Sequence, residues 1–255
     1  MLMTRVMPCL LLKDDRLVKT IQFKDPKYVG DPVNAVKIYN EKEVDELVVL
    51  DISATAENRK PPFEMIAQIA DECFMPLTYG GGIRDLEDIR RLFALGVEKA
   101  VINTHAVERP NFITEASDVF GSQAILVSID AKKKPQGGYE VRTRGGRDAT
   151  GLDPVAFARL MEQKGAGEIL LTSIDQDGAM AGYDLELIRR VTGAIHVPLI
   201  ACGGAGELAH LKQAVDAGAS AVAAGSMAVY MSKNRAVLIN FPTARELKTL
   251  FDGSA

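Results

Sequence analysis

This sequence predicts a closed (β/α)8 barrel, a single α/β TIM barrel made of two similar half-barrels, and three observations predict it. Eight short apolar runs alternate with stretches of helical period along the whole chain. The runs are nearly continuous in apolar residues, as expected of strands that helices cover outside and side chains fill inside. Thirdly, the thirty residues from Met75 align without gaps on the thirty from Val197, an offset of 122 in a chain of 255. Two halves of that length make one barrel about an approximate twofold axis, whereas a solenoid needs more and shorter repeats. One domain over residues 1–255 is expected, with half-barrels of roughly 1–120 and 121–245. An open doubly wound sheet is the alternative.

Taken in order, strand one is VMPCLLL (residues 6–12), followed by a long loop-like stretch over 13–31 and a first helix opened by Pro32. Strand two is ELVVLDI (46–52). At the repeat offset its Glu46 falls on Glu168, and Glu64 in the next helix falls on Glu186. Strands three and four, MPLTYG (75–80) and KAVIN (99–103), frame an amphipathic helix. Strand five, AILVSID (124–130), precedes KKKPQGGYEVRTRGG (132–146), which reads as a small hairpin around Gly137 and Gly138. Strands six to eight are EILLTSI (168–174), VPLIACG (197–203) and SAVAAG (220–225). The two long loops follow strands one and five and therefore fall on the face where barrels do chemistry.

Composition narrows the function. With 47% hydrophobic and 25% charged residues, a chain of this length buries one large core. The net charge of -4, with both signs interspersed, offers no footprint for nucleic acid. No apolar run reaches the length of a membrane span, and no leader pattern opens the chain. Cys9, Cys73 and Cys202 are odd in number, far apart and set in apolar runs, so neither a disulfide framework nor a zinc site is expected. The expectation is a cytoplasmic protein with no cofactor.

Barrels commonly bind phosphate after strands seven and eight, where glycine admits the backbone and N–H groups meet the anion. Those loops hold Gly203, Gly204, Gly225 and Ser226, and the repeat places Gly81, Gly82, Asn103 and Thr104 at the matching loops of the other half. A ligand phosphorylated at both ends is implied; the alternative is that these glycines merely close tight turns. Acid and base candidates belong at the C-terminal ends of strands: Asp130 after strand five, Asp51 after strand two, Asp175 and Asp177 after strand six. Asp130 is the sharpest, because it ends an apolar run where desolvation raises a carboxyl pKa. For Asp51 and Asp175, capping or turn formation is an equal alternative. Lys19, in the first loop, is placed to close over an anion or to stand in solvent. His105, His196 and His210 have no ligand spacing, so no metal is expected. Arg5, Glu46, Lys99 and Glu168 stand at or near the starts of strands one, two, four and six, where alternating charges can form a ring across the barrel bottom; read from the residues alone, such a ring simply stabilises that face.

The ordered segments RVMPCLLLKD, GDP, DELVVLDI, YGGGIRD, INT, GSQAILVSIDAK, GAGEILLTSIDQDG, GYDLELI, ACGGAG and AAGS resemble the HisF family, the cyclase subunit of imidazole glycerol phosphate synthase, over almost the whole chain. The resemblance implies a HisH-like glutaminase docked as a heterodimer on the N-terminal face. Ammonia then crosses the barrel to a substrate with two phosphates. By position it makes Arg5, Glu46, Lys99 and Glu168 the ammonia gate, Lys19 the substrate-covering lysine, Asp130 one catalytic carboxylate and Asp177 the aspartate after strand six.

The chain departs from the family pattern on one face. Where the family reads CLDVK it reads CLLLK, with Leu11 in place of a second carboxylate, and Ala179 and Cys202 replace a threonine and a serine. A leucine transfers no proton. CLLLK and the FKxPKYVGD pattern at Phe23–Asp31 resemble HisF-like paralogues that work with a glutaminase and a separate sugar amidotransferase in making amidino sugars of surface polysaccharide. Three readings follow: a lyase and cyclase of the synthase; an ammonia conduit and glutaminase activator for that amidotransferase; and an isomerase of the related half-barrel family, which Leu11 also disfavours.

Overall fold

A computed structural model describes residues 4–231 and 235–252. Each apolar run forms a strand of one barrel: β1 (Arg5–Lys13), β2 (Leu47–Asp51), β3 (Leu77–Gly80), β4 (Lys99–Ile102), β5 (Ile125–Lys133), β6 (Glu168–Ser173), β7 (Leu199–Cys202) and β8 (Ala221–Ala224). Neighbours pair in parallel in that order. β8 pairs with β1 through Val6 and Val222, and β5 pairs with β6 through Asp130 and Thr172, so no edge is left open. Closure excludes the open doubly wound sheet.

Among the described residues eight longer helices cover the strands, α1 (Pro32–Glu41), α2 (Phe63–Glu72), α3 (Leu86–Ala94), α4 (Asn111–Phe120), α5 (Pro154–Gln163), α6 (Leu185–Thr192), α7 (Leu208–Asp216) and α8 (Ala244–Asp252), with short helical turns at Thr104–Glu108 and Ser226–Val229 directly after β4 and β8. Their starts are written locally. Asp31, Asp85, Asp153 and Asp184 each accept a backbone N–H of the first turn, with Pro32 and Pro154 just inside.

Alternation along the strands divides the core in two. Outward side chains such as Val6, Leu10, Val49 and Leu171 pack against the helices. Inward ones form a separate cluster of Met7, Cys9, Leu11, Val48, Val101, Leu126, Leu170, Ile200, Ala221 and Ala223. Among the described residues no helix is long and apolar enough to cross a membrane.

The first loop differs from the sequence expectation. Residues 13–31 form an antiparallel arm of two strands, Arg16–Ile21 and Lys24–Gly30, the first paired back onto β1 at Leu11, Leu12 and Lys13. Asp14 and Asp15 take left-handed backbone to turn the chain, and the middle of RLVKTI, Leu17 to Thr20, is buried between β1 and the second strand of the arm. The hairpin expected around Gly137 and Gly138 is present: β5 runs on to Lys133 and pairs with Tyr139–Thr143.

Candidate active site

The loops after β3, β4, β7 and β8 meet around a cavity of about 290 Å³ at the C-terminal mouth. β3 and β7 stand four strands apart in a ring of eight, so the two glycine loops face each other across it. Gly81, Asn103 and Thr104 line one side and Gly203, Gly204, Gly225 and Ser226 the other. Gly82 lines a smaller adjoining cavity with Thr104, His105 and Arg144, and its N–H reaches Thr55 Oγ1 at 3.3 Å. A side chain is excluded at Gly204, whose φ is +118° and where a Cβ would strike the Gly182 carbonyl; at Gly225 a Cβ would meet the tip of Lys19, which places that ammonium against the loop. Ser226 Oγ is buried with no hydrogen-bond partner among the described residues, an unmet donor and acceptor at the cavity wall.

Asp130 stands at the mouth end of β5, 9% exposed, between the two glycine loops. Burial, reinforced by the negative charge of Asp177, pushes its carboxyl up to about 7, against hydrogen bonds that stabilise the ionised form. One of those comes from Asn103 Nδ2, 3.2 Å from Asp130 Oδ2, and the same amide donates to the Ser128 carbonyl at 3.0 Å. A carboxyl that titrates near neutrality can accept and return a proton. Leu11 is 8% exposed in the same cavity, so the floor opposite Asp130 offers methyl groups.

Asp51 and Asp175 are engaged locally. Asp51 Oδ1 accepts from Ser53 N (2.8 Å), Ala54 N (2.9 Å) and Ser53 Oγ (3.0 Å) and so shapes the loop after β2. Asp175 Oδ2 accepts from Lys133 N at 2.8 Å and ties the hairpin to the loop after β6. Asp177 Oδ2 accepts from Thr20 Oγ1 (2.7 Å) and Phe23 N (3.3 Å) in the arm. Lys19 is 4% exposed, and the arm carries its ammonium into the cavity against Gly225.

At the opposite end of the barrel the four strand-start charges close a ring. Arg5 donates to Glu46 at 2.7 Å and to Glu168 at 2.9 Å, and Lys99 Nζ lies 3.1 Å from both carboxylates. Thr78 Oγ1 completes it with a 2.7 Å bond to Glu46. Between ring and cavity the interior is the apolar cluster already described.

Sequence reasoning missed several members. Thr20 and Phe23 lay inside what read as a loop. Arg144 and Arg147 line the cavity from the hairpin, where RTRGGR was the available signal, and Thr78 was a lone hydroxyl in an apolar strand. Of the histidines, His196 is exposed, His210 accepts from Gly206 N at 3.2 Å, and His105 packs edge-on to Phe112 while lining the smaller cavity.

The chain is similar to known proteins along almost its full length. Residues 5–233 match the family described as "Histidine biosynthesis protein". A Pseudomonas aeruginosa protein named "Putative imidazole glycerol phosphate synthase subunit hisF2" is 50% identical over 97% of this chain and 99% of its own length. Proteins of Leptospira borgpetersenii and Leptospira interrogans, each named "Putative imidazole glycerol phosphate synthase subunit HisF", are 45% identical over 98% of this chain and all of their own.

Proposed function

Because this chain belongs to the histidine biosynthesis protein family, we propose that it is a HisF-type subunit of imidazole glycerol phosphate synthase, a lyase and cyclase fed with ammonia by a HisH-like glutaminase. The observation that carries the reading is the single cavity that collects both glycine loops with Asp130 between them. Opposed loops of this kind suit a ligand phosphorylated at both ends, with Lys19 beside the Gly225–Ser226 end and the reacting centre over Asp130. Gly82 extends the Thr104 end. We read the matching ends as the two halves of a duplication, roughly residues 1–120 and 121–245.

The same barrel supplies a route for ammonia. A glutaminase seated on the N-terminal face releases it at the ring of Arg5, Glu46, Lys99 and Glu168, which is closed in this conformation and acts as a gate. The apolar interior beyond favours neutral ammonia over ammonium, since a bare charge there has no compensating partner. At the mouth Asp130 takes a proton as carbon–nitrogen bonds form and break, and its pKa near 7 suits that exchange.

The test supplies the phosphoribulosyl-type bisphosphate and an ammonium salt at alkaline pH, without a partner. Loss of substrate with equal appearance of imidazole glycerol phosphate and the aminoimidazole carboxamide ribotide is expected; binding without either product refutes the cyclase reading.

Leu11 favours a second reading. With methyl groups where the family has a carboxylate, the barrel serves as an ammonia conduit and glutaminase activator for a separate sugar amidotransferase. Under that reading the chain stimulates a HisH-like glutaminase yet forms no product from the bisphosphate. The site residues, partner and pathway named here are proposals of the same rank.

A further inference from the structure

The arm carrying Lys19 pairs with β1 at its base, and its tip is tied to the loop after β6 mainly through Asp177, with Gln22 Nε2 adding a bond to the Asp175 carbonyl at 3.1 Å. Asp177 Oδ2 accepts from Thr20 Oγ1 at 2.7 Å and from Phe23 N at 3.3 Å, and the Asp177 carbonyl accepts from Gln22 N at 2.9 Å. Both Thr20 and Asp177 are buried. The packing leaves no slack: a Cβ at Gly178 would strike the Thr20 carbonyl, and Arg235 Nη2 donates to the Gly178 carbonyl at 2.7 Å. The arm tip is bent to make these bonds. Gln22, Phe23 and Asp25 all take left-handed backbone, with φ of 53°, 62° and 50°, a conformation that side-chain-bearing residues hold only when their surroundings compel it. Thr20 adjoins Lys19, so fixing the one seats the ammonium of the other against Gly225.

We propose that Asp177 is a positioning residue, a latch that holds the arm shut through Thr20 and Phe23 and thereby keeps Lys19 in the phosphate end of the cavity, and not an acid or base of the reaction. Its oxygen Oδ2 is already committed to two donors that hold the arm. The assignment rests on the proposed anion site for its purpose but not for its test. Opening of the arm is readable without any substrate.

The test is limited trypsin digestion of the full chain, following cleavage after Lys19 by mass spectrometry. Cleavage of a transiently open segment tracks the open population. Each hydrogen bond to a charged carboxylate is worth about one decade in that population. Thr20→Val is expected to speed cleavage after Lys19 about tenfold and Asp177→Ala about 100-fold, with cleavage after Lys99 unchanged. Thr20→Ser, which keeps the hydroxyl, restores the original rate. In parallel, the dissociation constant for inorganic phosphate rises about tenfold in Thr20→Val and returns in Thr20→Ser.

Wild-type cleavage at Lys19 in both Thr20→Val and Asp177→Ala overturns the latch. If Asp177→Ala loosens the whole molecule, so that Lys99 is also cut faster, Thr20→Val decides alone. Unchanged cleavage there overturns the proposal even if that protein is fully folded. A chain that never converts the bisphosphate but shows the Thr20 effect retains the latch while losing the cyclase reading.

Discussion

The two ends of the barrel handle buried charge in opposite ways. At the N-terminal end every charge meets its opposite: Arg5, Glu46, Lys99 and Glu168 close a ring of contacts between 2.7 and 3.1 Å, with Thr78 filling a remaining valence. At the C-terminal end two groups stay unbalanced. Among the described residues Asp130 faces another carboxylate with no cation paired to it, and Ser226 Oγ has no partner. The first arrangement is saturated and can only hold or open; the second is poised to take up a proton or an anion. One strand spacing serves both ends, so the chemistry depends on what stands at each strand terminus.

Substitutions at the two ends should part company in what they disturb. The largest expected effect is on turnover. Asp130→Asn keeps the shape and the Asn103 contact but removes the proton acceptor, and a loss of about 100- to 10,000-fold in turnover is expected with phosphate affinity unchanged. Steady-state kinetics beside a phosphate titration checks this, and an equal loss of affinity would move Asp130 from chemistry to binding. Next in size, Glu46→Ala at the other end leaves Arg5 and Lys99 with Glu168 as their one remaining carboxylate in the ring and should destabilise the fold by about 1–3 kcal/mol in urea unfolding, with phosphate affinity at the mouth preserved. Little change in stability would mean that water already shares the ring.

A third test uses the Asp130 proton. Its folded pKa of about 7 lies above the value of an ordinary carboxyl, so the protonated folded form is favoured. The stability this brings is fully present below about pH 4 and is lost as pH rises through 7. Asp130→Asn, which cannot ionise, should therefore raise the melting temperature relative to the parent at pH 8 and leave it nearly equal at pH 4. The opposite ranking would place the raised pKa elsewhere. The smallest effect is expected of Ser226→Ala, with phosphate binding weakened about tenfold and stability unchanged or slightly improved, because the hydroxyl it removes pairs with no group among the described residues. Calorimetric titration with inorganic phosphate reads it directly.

Legibility in the sequence follows the range of the interactions. The eight strands could be read because a strand covered on both faces is written as a continuous apolar run. Asp130 could be read because it ends such a run. The ring members were visible as charges at strand starts, but their pairing joins residues as far apart as Arg5 and Glu168 and exists only once the barrel closes, β8 onto β1. The arm was opaque for a similar reason. Thr20 meets Asp177 across 157 residues, and RLVKTI looks like loop until β1 offers it an edge. Leu11 was legible as a departure; the structure adds that it is buried in the cavity rather than displaced from it.

The most direct test of the central claim compares the parent chain with Leu11→Asp in the presence of the bisphosphate and saturating ammonium, following both products by chromatography. The account predicts measurable turnover by the parent, carried by Asp130, and a faster rate in the variant. An inactive parent beside an active variant would contradict it and leave the barrel as an ammonia conduit with an intact binding cavity.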